Sequence, residues 1–129
     1  MVVDTSAVIA IIFEEREAHA FRRLIEDHPH PVMSAASYAE AGIVVMQRLS
    51  PAALDDLAAL LDGAGVEIVP VTPEQARLAI AAYARCGKGR HPAGLNYGDC
   101  FSYALAQARG EPLLAKGGDF VRTDVVMAG

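Results

Sequence analysis

Met1-Val2-Val3-Asp4-Thr5-Ser6-Ala7 places an apolar, β-branched pair before a carboxylate, then two hydroxyl residues, then an alanine- and isoleucine-rich run to Phe13. That order reads as a short buried strand from Met1 to Asp4, followed at once by a helix from Ala7 to Phe13 that Thr5-Ser6 caps. The same alternation continues outward. Glu15 to Asp27 carries Ala18, Phe21, Leu24 and Ile25 at helical spacing, and Pro29-His30-Pro31 stops it. Val32-Met33 is a second strand leading through Ser34 into a helix from Ala35 to Leu49. Ser50-Pro51 reads as a cap with proline at the first helical position. The helix it opens carries Leu54, Leu57, Leu60 and Leu61 and ends at Gly63-Ala64-Gly65. Val66 to Val71 predicts a third strand, and Thr72-Pro73 opens the helix Glu74 to Arg85. Beyond a glycine-bearing loop, Asp99 to Arg109 reads as a helix with Tyr97, Cys100, Phe101, Ala104, Leu105 and Ala108 on one face. Leu113-Leu114 is a strand, and Val125-Val126-Met127 a last edge strand. Parallel neighbours need crossover connections, so strands separated by helices throughout predict an α/β fold with a mainly parallel sheet covered on both faces.

The 129 residues fit one domain, which at this size buries roughly two-thirds of its unfolded surface without staples. Apolar residues make up 53% of the chain, yet no run approaches the roughly 18 needed to span a bilayer, so no membrane association is expected. The opening residues include no basic region and no signal-type apolar stretch, which points to a cytoplasmic protein. A net charge of -5 argues against holding nucleic acid through the overall field, so any RNA contact must rest on local cations and bound metal. Cys86 and Cys100 lack any zinc-ligand spacing and read as small apolar fillers.

Four acids stand where an α/β nuclease needs them: Asp4 at the first strand exit, Glu40 in the first turn or so of the helix after the second strand, Asp99 opening a helix, and Asp119 in a late turn. Ligands of such sheets bind beyond the carboxyl ends of the strands. Each acid also has an ordinary structural use. Asp4 serves as a helix cap, Ser37-Tyr38-Ala39-Glu40 matches a capping box, Asp99 complements a helix dipole, and Asp119 follows a glycine pair in a turn. As a set they indicate a site for a divalent cation, since magnesium takes hard oxygen ligands and leaves room for substrate phosphate. Lys88, Arg90 and His91, just before the Asp99 helix, are either a solvated loop or a phosphate-positioning patch for substrate.

Four stretches carry a family likeness: Met1 to Ala7, Ser34-Ala35-Ala36-Ser37-Tyr38-Ala39-Glu40, Leu95-Asn96-Tyr97-Gly98-Asp99-Cys100-Phe101-Ser102-Tyr103-Ala104-Leu105-Ala106, and Leu113-Leu114-Ala115-Lys116-Gly117-Gly118-Asp119-Phe120. In this order they resemble the PIN-domain ribonucleases, and within them the VapC toxins of bacterial type II toxin–antitoxin pairs. The resemblance spans almost the whole chain and implies a single PIN domain over residues 1–129, a three-layer α/β/α sandwich. It also implies RNA cleavage dependent on Mg²⁺ or Mn²⁺, a homodimer, and inhibition by a VapB-type antitoxin in a larger complex. Carried over by position, Asp4, Glu40 and Asp99 match the family's metal-binding acids. The fourth position departs: relatives often have an aspartate where this chain has Gly117, which leaves Asp119, and more weakly Asp124, as the replacement.

That departure motivates a rival reading, a catalytically weak PIN-like protein that acts by binding RNA or antitoxin. Phosphatases of the haloacid dehalogenase type also begin with a strand-end aspartate, but Asp4-Thr5-Ser6 lacks the second aspartate two residues on. A receiver domain needs its aspartate after a later strand, and Val66 to Val71 supplies none.

Overall fold

A computed structural model describes all 129 residues. The elements run β1 (Val2–Val3), α1 (Thr5–Ile12), α2 (Ala18–Asp27), β2 (Val32–Ser34), α3 (Ala35–Arg48), α4 (Ala53–Gly63), β3 (Glu67–Val69), α5 (Pro73–Cys86), α6 (Tyr97–Arg109) and β4 (Leu113–Leu114), then a 3₁₀ turn at Phe120–Arg122. All four strands are parallel, in the order β3-β2-β1-β4. Val2 registers with Val32 on one side and Leu113 on the other.

Strands of two or three residues make few ladder bonds, so packing on both faces must hold them. The period-two rule assigns those faces. Val2, Val32 and Leu113 pack with Ala79, Ala82, Leu95, Tyr103 and Leu105 from the α5 and α6 side. Val3, Met33 and Leu114 pack with Val8, Ile11, Ile25, Val45, Leu57 and Leu61 from α1 to α4. The strand residues Val2, Val3, Val32, Met33 and Leu113 are wholly buried. Burying a side chain of this kind contributes about 1.5–3 kcal/mol, more than a typical net hydrogen bond. The expected α/β/α sandwich is the observed one.

Several local expectations are corrected. Thr5 and Ser6 lie inside α1, and Asp4 caps it. The second helix begins at Ala18, because the chain first turns through Glu14 at φ 53. Ser50-Pro51 is a turn feeding α4, with Ala53 N–H bonded to Ser50 O at 3.1 Å and no side-chain cap. The third strand is shorter than Val66 to Val71. The final strand reduces to a parallel bridge between Leu113 and Met127. On α6, Tyr97 is 78% exposed, while Ser102 and Tyr103 join Ala104, Leu105 and Ala106 in the interior. This helix is buried over more than one stripe because it packs on α5, on the sheet and on α3. Both cysteines are buried and free, as expected of fillers.

Candidate active site

The exits of β1, β2 and β4 and the first turn of α6 meet at the carboxyl edge of the sheet. Asp4 is the fixed point there. Its N–H donates to the Leu114 carbonyl at 2.9 Å, tying it to the β4 exit. Its Oδ2 accepts from the Ser6 N–H at 2.9 Å and the Ser6 hydroxyl at 2.7 Å, and its Oδ1 accepts from the Ser102 hydroxyl at 2.5 Å. The side chain thus caps α1 with one oxygen and meets α6 with the other. Two donors fill Oδ2, whereas Oδ1 retains a lone pair.

Asp99 sits three residues after the cap of α6. Its N–H donates to Asn96 Oδ1 at 2.8 Å, and its Oδ2 accepts from the Asn96 N–H at 3.0 Å, completing a capping box. Its Oδ1 accepts no bond within the chain. Burial pushes its carboxyl up to about 6 against the opposing bond from Asn96, and the charges of Asp4, Asp119 and Glu40 push it the same way. All four sequence-selected acids therefore share one field. They come from segments far apart in sequence, and each adds to the cost of ionising Asp99.

Glu40 lies in the second turn of α3 rather than the first, because Ser34 caps that helix through Ala36 N–H at 3.2 Å. The expected Ser37 capping box is absent: Ser37 Oγ is 2.9 Å from Ser102 Oγ. Glu40 rests against the α6 backbone at Gly98, where an added Cβ would come within 2.5 Å of Oε2 and 2.8 Å of Oε1. Glycine at 98 thus clears a cradle for a carboxylate beside Asp99. Asp119 is exposed, follows the left-handed Gly117 at φ 95, and makes no capping bond. Asp124 is held elsewhere. It accepts from the Tyr103 hydroxyl, which keeps its carboxyl below the usual range, and it lies 3.4 Å from Gln107 Nε2. Those partners sit about 6 and 12 Å along α6 from Asp99.

No three of these side chains stand at metal-ligand spacing. The donor set still fits a hard divalent cation. It consists of carboxylate oxygens without thiolate, it has open lone pairs on Asp4 and Asp99, and one of its members sits in a cradle that a Cβ would fill.

A PIN-domain model matches residues 1–126. The chain belongs to the PIN-domain family. Ribonuclease VapC of Mycolicibacterium smegmatis is 50% identical to this PIN domain over 125 residues, 97% of each chain. Ribonuclease VapC28 of Mycobacterium tuberculosis is 50% identical over 129 residues, covering 99% of this chain and 97% of its own. Among solved structures, VapC20 of Mycobacterium tuberculosis, described as a sarcin–ricin loop cleaving toxin, superposes with a TM-score of 0.78 at 21% identity. The match covers 98% of this chain and 97% of that one.

The basic loop of this PIN domain is pinned at its base rather than free. Lys88 N–H donates to Leu95 O at 2.8 Å, and Leu95 N–H donates to Cys86 O at 2.9 Å. Lys88 and Arg90 project outward without carboxylate partners. His91 is half-buried and spends Nδ1 as acceptor for Ala93 N–H at 3.0 Å, which leaves only its other nitrogen for substrate. Lys88 also lines a groove of about 590 Å³ between α5 and α6, with Ile80, Tyr83, Tyr97 and Phe101. Of the other histidines, His30 is exposed and pairs with Glu67 at 2.7 Å, and His28 lies 3.3 Å from the N-terminal nitrogen.

Sequence reasoning missed Ser102 and Gly98 and misassigned Ser37. A signal existed: Ser102 follows Asp99 by three residues and Ser37 precedes Glu40 by three, the spacing of one helix face.

Proposed function

We propose that this chain is a single-domain PIN ribonuclease, the toxin of a type II toxin–antitoxin pair, that hydrolyses RNA phosphodiester bonds with Mg²⁺ or Mn²⁺ and acts in the cytoplasm. The observation that carries this reading is the convergence of Asp4, Glu40, Asp99 and Asp119 at one edge of the sheet, where the charges of the other three bear on Asp99 and Gly98 clears room for Glu40. The names of its relatives at 50% identity support the same activity. When bound, the cation supplies Lewis acidity toward the phosphodiester and the attacking water. Asp4 and Asp99 would hold it, and Glu40, in its cradle on Gly98, would join them. Asp119, exposed and without a capping bond, would supply the fourth ligand in place of the missing acid at Gly117. Lys88 and Arg90 draw the phosphate backbone toward a protein that is acidic overall, with His91 beside them.

The exposed apolar side chains Ile80, Tyr83 and Tyr97 support a protein partner on the α5–α6 face, in keeping with a VapB-type antitoxin and a homodimer. The rival reading, a weak nuclease acting mainly by binding, draws on the absence of three acids at ligand spacing. Incubation of RNA with the full chain, in Mg²⁺ and in chelator, separates the two. Cleavage is expected in Mg²⁺ only, is blocked by the antitoxin, and is lost in Asp99→Asn. Parental cleavage by Asp99→Asn, or cleavage that survives chelation, overturns the metal site.

A further inference from the structure

We propose that Ser37 and Ser102 form a one-way hydroxyl relay that holds Oδ1 of Asp4 toward the site, which makes Ser102 a positioning residue for catalysis. The inference rests on the reading of Asp4 as a metal ligand. The direction follows from proton counting. A carboxylate oxygen only accepts, so the 2.5 Å bond between Ser102 Oγ and Asp4 Oδ1 uses the single proton of Ser102. The 2.9 Å contact between the two serines must then be donated by Ser37. Ser102 is 0% and Ser37 1% exposed, so water does not substitute for either partner. The Ser37 carbonyl in turn accepts from the Thr5 hydroxyl at 2.9 Å, clamping the start of α1 to α3.

Each serine shares a helix face with an acid. Ser102 accompanies Asp99 on α6, and Ser37 accompanies Glu40 on α3. One relay thereby registers three acids on three elements against each other. The contact between the two serines adds little stability by itself, since replacing both partners of a buried hydrogen bond by apolar groups of similar shape is nearly neutral, but alanine at 102 also leaves a buried carboxylate oxygen of Asp4 without its donor. What alanine cannot supply is a directed donor to the oxygen that keeps its lone pair open. Partners of this kind orient a ligand and raise its affinity for metal.

The test is Mg²⁺ titration by calorimetry of the full-length parent, Ser102→Ala, Ser37→Ala and the double variant, with metal-free melts and RNA cleavage kinetics. Ser102→Ala is expected to weaken Mg²⁺ binding about 10–100-fold and to lower kcat with little change in KM for RNA. Ser37→Ala should show a smaller loss, and the double variant should be no worse than Ser102→Ala, because the hydroxyls act in series. Parental Mg²⁺ affinity in Ser102→Ala overturns the relay, as do losses that multiply in the double variant or a change confined to melting temperature. Should Ser102→Ala fail to fold, unchanged affinity in Ser37→Ala overturns it equally. A parent that binds no Mg²⁺ overturns the ligand role of Asp4 and the relay together. A parent that binds normally beside an unaffected Ser102→Ala removes the relay alone.

Discussion

Asp4 and Asp119 stand beyond the carboxyl ends of the adjacent strands β1 and β4, and both charges bear on Asp99, yet the two are held in opposite ways. Asp4 is 3% exposed and accepts three hydrogen bonds from Ser6 and Ser102. Asp119 is exposed, follows two glycines and lacks a capping bond. One side of the acid cluster is therefore set by the fold before any ligand arrives. The other is positioned by the turn and free to adjust to what binds. Hydrogen bonds at Asp4 would lower the entropy lost if it bound a cation, whereas at Asp119, which lacks them, that cost would fall on binding.

Asp4→Asn should break the fixed side and produce the largest effect. With its NH2 toward Ser6 the amide meets a backbone N–H that cannot accept, and with its NH2 toward Ser102 it forces that hydroxyl to accept and reverses the Ser102–Ser37 bond, so either orientation costs about 1–3 kcal/mol. Relief of repulsion at Asp99 offsets part of this. The expected outcome is a melting temperature lower by several degrees and RNA cleavage reduced roughly hundredfold or more. Parental melting and cleavage would show that Asp4 is no more preorganised than Asp119.

A pH effect of intermediate size belongs to Asp99, whose carboxyl is raised from 3.8 to about 6. Between these values the folded protein binds a proton that the unfolded chain has released. Its contribution to metal-free stability therefore falls as pH rises through this window and levels off above it. Metal binding should move the other way, weakening roughly tenfold per pH unit below 6, because the ligand must first lose that proton. Metal-free melts and Mg²⁺ titrations at about pH 5 and about pH 7 check both signs. Equal Mg²⁺ affinity at the two values would detach Asp99 from the cation.

Asp119→Asn gives the smallest effect and sharpens the contrast most. An exposed carboxylate without a bond can be neutralised within about 0.5 kcal/mol of parental stability. Cleavage should fall by a factor well short of that for Asp4→Asn, with binding of one cation retained. Equal rates and equal stoichiometry by calorimetry would remove Asp119 from the site.

The acids differed in how far they could be read. Asp4 was legible because a β-branched pair followed by Asp-Thr-Ser marks a strand exit, and Asp99 because it stands at a helix start, although the helix begins two residues earlier, at Tyr97, behind an Asn96 cap that was not read. The ordinary uses considered for them also hold. Asp4 is a cap and Asp99 lies in the first turn of its helix, where it also completes a capping box with Asn96, so each carboxylate supports its helix with Oδ2. Glu40 was placed one turn out because Ser37 matched a capping box while Ser34 made the bond. Two hydroxyls six residues or fewer from the same acid look alike in local sequence, and only helix docking distinguishes them.

Local chemistry in the sequence determined the alternation of strands and helices, the two faces of the sheet through period-two burial, and which carboxylates lie at strand exits and helix starts. Those properties depend on near neighbours along the chain. The tertiary structure alone decided that Asp119, not Asp124, shares the field of Asp99, and that Gly98 makes room for Glu40. It also joined Ser37 to Ser102 and Ser102 to Asp4, pairs 65 and 98 residues apart. Such contacts are set by the strand order β3-β2-β1-β4 and by how α3 and α6 are rotated against the sheet. Core packing over the whole domain fixes those rotations, and no short stretch of sequence encodes them.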